Sequence, residues 1–267
     1  MAFAEPPGWY VISLRPQGQH GALRRAAACH GARLVALSPW RIEPVDDAAA
    51  REALAAAAGA SRVLFTSPAA VRAAARLQPL RRVRGQHWIA VGRGTAAALR
   101  KAGVDDVECP ARMDSEGVLA LPSLALPSLA VPSLAVPYLG VPEGVDVGLV
   151  TAPAGRGLLA STLEGRGARV LRADVYRRVP VALPARTLAR LRSLDAPACL
   201  ALTSEAALAR VLTEVPADLA ALLRSVPAVA ASERLRQRAL ELGMQRVERA
   251  QGPLPAQLLA AMLQRFR

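Results

Sequence analysis

The chain is 267 residues long, 52% hydrophobic and 21% charged, and Lys and Arg outnumber Asp and Glu by 34 to 21, for a formal net charge of +13. That length and apolar content exclude a globally disordered chain and favour two lobes over one large domain. Lys101 is the only lysine, so guanidinium groups carry the surplus, and they suit carboxylate and phosphate partners. Phe, Trp and Tyr number three each, with no zinc-finger or stacking pattern, so nucleic acid is not an expected partner.

The start, Met1-Ala2-Phe3-Ala4-Glu5-Pro6-Pro7, has neither a basic n-region nor an apolar h-region, so nothing directs export and a cytoplasmic location is expected. Short β-type runs then alternate with Ala/Leu/Arg stretches of helical period: Tyr10–Leu14, Val63–Phe65, Trp88–Val91, Gly148–Val150, Cys199–Leu202 and Ala228–Ala230. This alternation predicts parallel sheets flanked by helices. Cys29, Cys109 and Cys199 are odd in number, far apart and without CxxC spacing, so they read as small core residues in a reducing compartment. His20, His30 and His87 form no ligand cluster, and neither a metal nor a cofactor is expected.

The segment Gly92-Arg93-Gly94-Thr95-Ala96-Ala97 fits a loose dinucleotide fingerprint, GxGxxA, with Asp114 about 20 residues on. Its mid-chain position argues against that reading, and no Ser-His-Asp order, Walker-type loop or paired catalytic carboxylates emerge. Residues 117 to 142 carry no charge and are long enough for a membrane span. Pro122, Pro127, Pro132, Pro137 and Pro142, however, recur at every fifth residue and break any continuous helix. Residues 121–142 are therefore expected to form an extended surface insert, a short tandem expansion of polyproline-like character.

Comparing the chain with itself reveals a duplication. Val63-Leu64-Phe65-Thr66-Ser67-Pro68-Ala69-Ala70 is similar to Leu200-Ala201-Leu202-Thr203-Ser204-Glu205-Ala206-Ala207 at an offset of 137. The same offset relates Val91-Gly92-Arg93-Gly94-Thr95 to Ala228-Val229-Ala230-Ala231-Ser232, and each is followed by a helix ending at a glycine, Gly103 or Gly243. Gly31-Ala32-Arg33-Leu34-Val35 and Gly167-Ala168-Arg169-Val170-Leu171 lie 136 apart. Two equivalent halves imply two similar sheets, and in open parallel sheets ligands bind beyond the carboxyl ends of the strands. The hydroxyls of Ser67, Thr95, Ser204 and Ser232 stand where strands pass into helices. Each is explained by helix capping alone, and the four turns together also suit a polyanion at helix N-termini.

Taken in order, Arg15-Pro16, Phe65-Thr66-Ser67-Pro68, Val91-Gly92 with Thr95, Ser115-Glu116-Gly117-Val118-Leu119, Gly155-Arg156, Val175-Tyr176 and Ala231-Ser232-Glu233-Arg234 resemble the motif succession of the uroporphyrinogen-III synthase family, over residues 9 to 265 outside the proline-rich insert. The resemblance implies an α/β fold of two similar lobes, with parallel sheets flanked by helices, joined by two extended connectors. Lobe 1 would comprise residues 1–38 plus 181–267 and lobe 2 residues 45–174, with connectors at 38–44 and 175–181. The N-terminal strands would pack with the C-terminal half, exchanging the duplicated halves.

The resemblance also implies an activity. Linear hydroxymethylbilane loses water and closes to uroporphyrinogen III with its terminal pyrrole inverted, on the route to haem, sirohaem and cobalamin, without a cofactor. Ionisation of the hydroxymethyl group gives an azafulvenium-type electrophile, and positioning directs attack by the substituted carbon through a spiro intermediate. The partner is thus a tetrapyrrole carrying eight carboxylates, and the upstream enzyme that makes hydroxymethylbilane is a further expected partner. A monomer, no nucleic acid and no membrane complete the expectation.

Tyr176 matches the family's connector tyrosine and would assist departure of the hydroxyl as a hydrogen-bond or proton donor. Arg15, Thr66, Ser67, Thr95, Arg156, Thr203, Ser204 and Ser232 match cleft-lining positions, the arginines facing carboxylates. Connector packing for Tyr176 and solvated surface positions for the arginines are the plainer readings. Leu14, Ala69 and Leu235 depart from the family's frequent threonine, asparagine and threonine. A noncatalytic anion-binding or regulatory module on the same scaffold is the alternative function, since fold alone does not secure activity.

Overall fold

The computed structural model describes residues 8–124, 144–153 and 157–265. The chain divides into two compact units, the first formed by Met1–Arg41 with Val179–Arg267 and the second by Ile42–Arg178. The sheet of the first unit is parallel, in the order β11 (Val247–Arg249), β10 (Ala228–Ala230), β9 (Ala198–Leu202), β1 (Trp9–Ser13) and β2 (Ala32–Ala36). Its strands are apolar almost throughout because both faces are covered. Tyr10, Ile12, Leu200 and Leu202 point to one face, against α7 (Ala185–Arg192), α8 (Glu205–Glu214) and α9 (Ala217–Ser225). Trp9, Val11, Cys199 and Ala201 point to the other, against α1 (Gly21–Ala28) and α11 (Pro255–Arg265).

The second unit repeats the plan with β5 (His87–Ala90), β4 (Arg62–Phe65), β6 (Asp146–Thr151) and β7 (Arg169–Asp174), again parallel. Val63, Phe65, Trp88 and Val150 share a face with α2 (Ala48–Gly59), α3 (Pro68–Leu77) and α4 (Arg93–Lys101). Leu64, Ile89, Val147 and Leu149 share the other with α5 (Ser115–Leu119) and α6 (Leu158–Gly165). Each sheet thus joins two strands from the start of one half to strands from the other half. The chain passes between units along a two-stranded ribbon of β3 (Trp40–Pro44) and β8 (Tyr176–Pro180).

Every expected strand is present, with Leu14 and Val91 falling just past the ends of β1 and β5. The duplication register needs one correction. Helices α3 and α8 keep the offset of 137 at both ends, as do their caps Ser67 and Ser204. The next pair does not: Gly92 caps α4 and Ser232 caps α10 (Glu233–Glu241), an offset of 140, which also relates Gly103 to Gly243. The helix α9, inserted between α8 and β10, displaces the alignment. Thr95 is therefore not the counterpart of Ser232. Gly103 and Gly243 both end their helices at positive φ, 90° and 87°, where any side chain would be strained.

Two other expectations change. Cys29 is exposed at the end of α1, whereas Cys199 is buried. An eight-residue helix that ends at a surface turn leaves its last side chain outside the core. The segment expected to be extended from residue 121 begins instead with a 3-10 turn, Pro122–Leu124. Leu124 completes the core around Leu149 and Leu163, and Arg62 and Arg166 hold the carbonyls of Ser123 and Leu124 at 2.6 and 2.9 Å. Residues 125–142 lie outside the described residues.

Candidate active site

In the second unit the carboxyl ends of β4, β6 and β7 bring four hydroxyls together. Ser67 caps α3, its Oγ accepting from Ala70 N–H at 3.1 Å, and the same oxygen lies 3.2 Å from the Tyr176 hydroxyl. Beside them the Thr66 hydroxyl donates to Thr151 Oγ1 at 2.9 Å. Parallel pairing fixes this arrangement: Thr66 N–H donates to Val150 O, and Val175 N–H to Thr151 O, so the residues after each strand stay in step. Tyr176 is buried along its ring among Phe65, Val150 and Val175, which is the packing role, and its hydroxyl is the end that meets Ser67.

The Ser67–Tyr176 pair carries two O–H protons but shares only one hydrogen bond. Whichever oxygen donates, one O–H proton of the pair is left for a ligand. Pro68 at the first helical position has no N–H, and Ser67 satisfies Ala70, so Ala69 N–H is the donor that the first turn leaves open. Neither α3 nor α4 has an acidic residue in its first turn, so the positive ends of both helix dipoles are unneutralised.

Thr95 does not belong to this open set. It lies in the first turn of α4, 4% exposed, and Gly92 caps the helix without a side chain. The dinucleotide reading also fails. Asp114 caps α5 by accepting from Gly117 N–H at 2.8 Å and pairs with Arg112 at 2.6 Å, which occupies the carboxylate a ribose would need. Gly117, in the Ser115–Leu119 motif, is there for space, since a Cβ would stand 1.9 Å from the Arg112 carbonyl oxygen.

The first unit presents a different set at the matching strand ends. Arg15 follows β1; its Nη2 donates to Pro253 O at 3.4 Å, while its Nε is buried with no hydrogen-bond partner among the described residues. Burial holds its pKa below the usual guanidinium value. A buried guanidinium N–H without an acceptor is a costly group in a folded chain, and an anionic acceptor would relieve that cost. Close by, His20 Nδ1 lies 3.0 Å from Ser13 Oγ and His20 Nε2 lies 2.7 Å from Ser38 Oγ, joining the ends of β1 and β2. Burial first, then the charges of Arg24 and Arg15, lower the His20 pKa to about 4, so the ring is neutral near pH 7.

Ser204 and Ser232 cap α8 and α10, each accepting from a backbone N–H at 3.3 Å. Unlike their counterparts in the second unit, these helices begin with Glu205 and Glu233. Glu205 is held by Arg234 at 3.2 Å and Arg238 at 2.9 Å, which keep its carboxyl below the usual carboxylate range. Thr203 is half-buried at the end of β9. Arg156 lies outside the described residues. Thr151, Ser13, Ser38 and His20 were not singled out from the sequence. The 136 offset that relates Gly31 to Gly167 also carries Arg15 to Thr151 and would have found the latter.

The hydroxyl cluster of the second unit and the orphaned guanidinium of the first each stand at the carboxyl ends of a parallel sheet, and each suits an anionic group. A family model described as Uroporphyrinogen-III synthase HemD matches residues 21–260. The chain belongs to the uroporphyrinogen-III synthase family. A mutant uroporphyrinogen III synthase from the extremely thermophilic bacterium Thermus thermophilus is similar in fold, with a TM-score of 0.60 at 20% identity over 96% of this chain and 99% of that one. The synthetase from Helicobacter pylori gives a TM-score of 0.56 at 15% identity over 96% of this chain and 99% of that one. The function of a uroporphyrinogen-III synthase is the cyclisation of hydroxymethylbilane in tetrapyrrole biosynthesis. Among the described residues no helix is long and apolar enough to cross a membrane.

Proposed function

We propose that the Ser67–Tyr176 pair is the donor that meets the departing hydroxyl of hydroxymethylbilane, and that Arg15 and the first turn of α3 take substrate carboxylates. The observation that carries this reading is the 3.2 Å contact between two hydroxyls with one proton uncommitted. A neutral donor suits the step: C–O cleavage leaves a cationic azafulvenium carbon, and the leaving oxygen takes a proton as it departs as water. Thr66 and Thr151 hold the neighbouring strand ends in place. Holding the chain bent so that the substituted carbon attacks first accounts for the inverted pyrrole, through orientation more than through acid strength.

The +13 charge draws a polycarboxylate substrate to the protein, and Arg15 fixes part of it. Ser204, Ser232 and Thr203 act as caps and strand ends more than as anion ligands, because Glu205 and Glu233 already occupy the helix N-termini. The protein works as a cytoplasmic monomer that takes its substrate from the upstream hydroxymethylbilane-producing enzyme. The test is an isomer-resolved assay with freshly generated hydroxymethylbilane. The expected product is the type III isomer, and only type I at the spontaneous rate would leave the noncatalytic anion-binding reading standing.

A further inference from the structure

Of the four edge strands of the duplicated sheets, the equivalent pair β2 and β7 are treated differently. In the second unit Arg169 of β7 stands opposite Asp146 in the strand register, and the carboxylate grips it through two hydrogen bonds of 2.7 and 2.6 Å. Arg172 of β7 is closed in the same way by Asp174. In the first unit, the matching arginine, Arg33 of β2, stands opposite Tyr10. The Tyr10 hydroxyl cannot neutralise it, because it donates to Asp195 Oδ1 at 2.6 Å and accepts from Arg190 Nη2 at 2.6 Å.

The result is a groove of about 350 Å³ between β2 and α7, with Arg33 on the strand side and Arg186 and Arg190 on the helix side. Asp195 bears on Arg33 and Arg190, and among the described residues it is the acid that does so, one carboxylate beside the three arginines that line the groove. The strand itself contributes. Leu37 N–H donates to Ser13 O, so in parallel geometry the odd residues of β2 face β1 and the N–H and C=O of Leu34 and Ala36 point outward. Among the described residues no strand pairs with that edge, and Leu34 and Ala36 both line the groove.

We propose that this groove is a docking site for an acidic, extended segment of a partner protein, which adds as a strand to β2 and sets its carboxylates against Arg33, Arg186 and Arg190. The backbone supplies the ladder, and the arginines choose the sequence. An edge guarded by like charges repels a second copy of itself, as edge strands commonly must, and for the same reason accepts a strand of opposite charge. This site is separate from the Ser67–Tyr176 pair and does not depend on its role.

The probe is a fluorescently labelled heptapeptide of alternating Glu and Val, titrated into the full-length protein and read by anisotropy. The expected result is saturable one-to-one binding that R33E/R186E weakens at least tenfold. The charge-matched control R72E/R76E, on exposed positions of α3, leaves it within twofold. The same peptide N-methylated at alternate residues keeps its charge but cannot form a ladder, and it binds at least tenfold more weakly. Formation of the type III isomer is unchanged in R33E/R186E, and its melting temperature matches the parent. Equal losses in the two double variants would reduce the effect to diffuse surface charge and overturn the proposal. So would undiminished binding of the N-methylated peptide, or displacement by a single-stranded oligonucleotide as effective as that by unlabelled peptide.

Discussion

The two units share one plan, and what separates them is charge and volume at equivalent positions. At the strand ends, the helices of the second unit start with Pro68 and Arg93, and those of the first with Glu205 and Glu233. The dipole of α8 is therefore met by its own carboxylate, while that of α3 is left for a ligand. Arg15 and Tyr176 show the same divergence. Their counterparts at the 136 offset are Thr151 and Trp40, so at each of these places one unit carries a polar side chain of different chemistry from that of its equivalent in the other. Duplication supplies the geometry twice, and substitution then gives each copy its own side chains at the strand ends.

The interior differs most sharply at Gly148 of β6, whose counterpart is Ile12 of β1. A Cβ at Gly148 would stand 1.9 Å from the Ala57 carbonyl oxygen, because α2 rests directly on the strand. The shorter α7 leaves room for Ile12, which is fully buried. Gly148→Ala is expected to destabilise the second unit by about 3 kcal/mol through overpacking, and Ile12→Ala the first by about 3 kcal/mol through a cavity. Denaturant unfolding with hydrogen exchange resolves the two. A Gly148→Ala protein within about 0.5 kcal/mol of the parent would contradict the seating of α2.

At the strand ends, Tyr176→Phe removes one hydroxyl from a buried ring and is expected to lower type III formation about a hundredfold, the scale of a lost proton donor. Spontaneous type I product persists, and the fold, checked by circular dichroism, is unchanged. An undiminished rate would return Tyr176 to connector packing alone.

His20 gives the first unit a pH response of its own. Its pKa is depressed to about 4 by burial and by Arg24 and Arg15, against 6.5 in the unfolded chain. Between those values the unfolded chain binds the proton more readily, so stability is full above about pH 6.5 and falls as pH drops toward 4. Allowing for water reaching the ring, the loss is roughly 2 kcal/mol. His20→Asn should flatten that part of the stability profile relative to the parent, and identical slopes would show that the ring is not the group responsible.

Much of this was legible in the sequence, and the parts that were not have physical causes. The strands announced themselves because both faces of each sheet are buried, which leaves short unbroken apolar runs. The Thr-Ser turns of α3 and α8 were readable because each serine both ends a strand and caps a helix. The second motif slipped by three residues because α9 is inserted in one half only, and an Ala-rich chain tolerates a false register without a visible mismatch. The Ser67–Tyr176 contact joins residues 109 apart and depends on parallel pairing, which no local pattern encodes. Glu205 and Glu233, directly after the capping serines, were readable as charges set against the dipoles of α8 and α10, but the arginines that hold Glu205, Arg238 and Arg234, come from α10 and are not local to it.

The finest test separates capping from chemistry. Ser67 and Ser204 hold equivalent caps, at 3.1 and 3.3 Å, so Ser67→Ala and Ser204→Ala should each cost about 1 kcal/mol of stability. Their effects on turnover should differ, because Ser67 also shares a proton with Tyr176 and Ser204 stands beside Glu205. Ser67→Ala is expected to reduce type III formation about tenfold and Ser204→Ala less than twofold, a difference of about 1 kcal/mol in barrier. If the pair acts as one donor, adding Ser67→Ala to Tyr176→Phe lowers the rate little further, since coupled groups do not add. Equal losses of turnover in the two serine variants would mean that both residues are caps and nothing more, and additive losses in the double variant would mean that the two hydroxyls work apart.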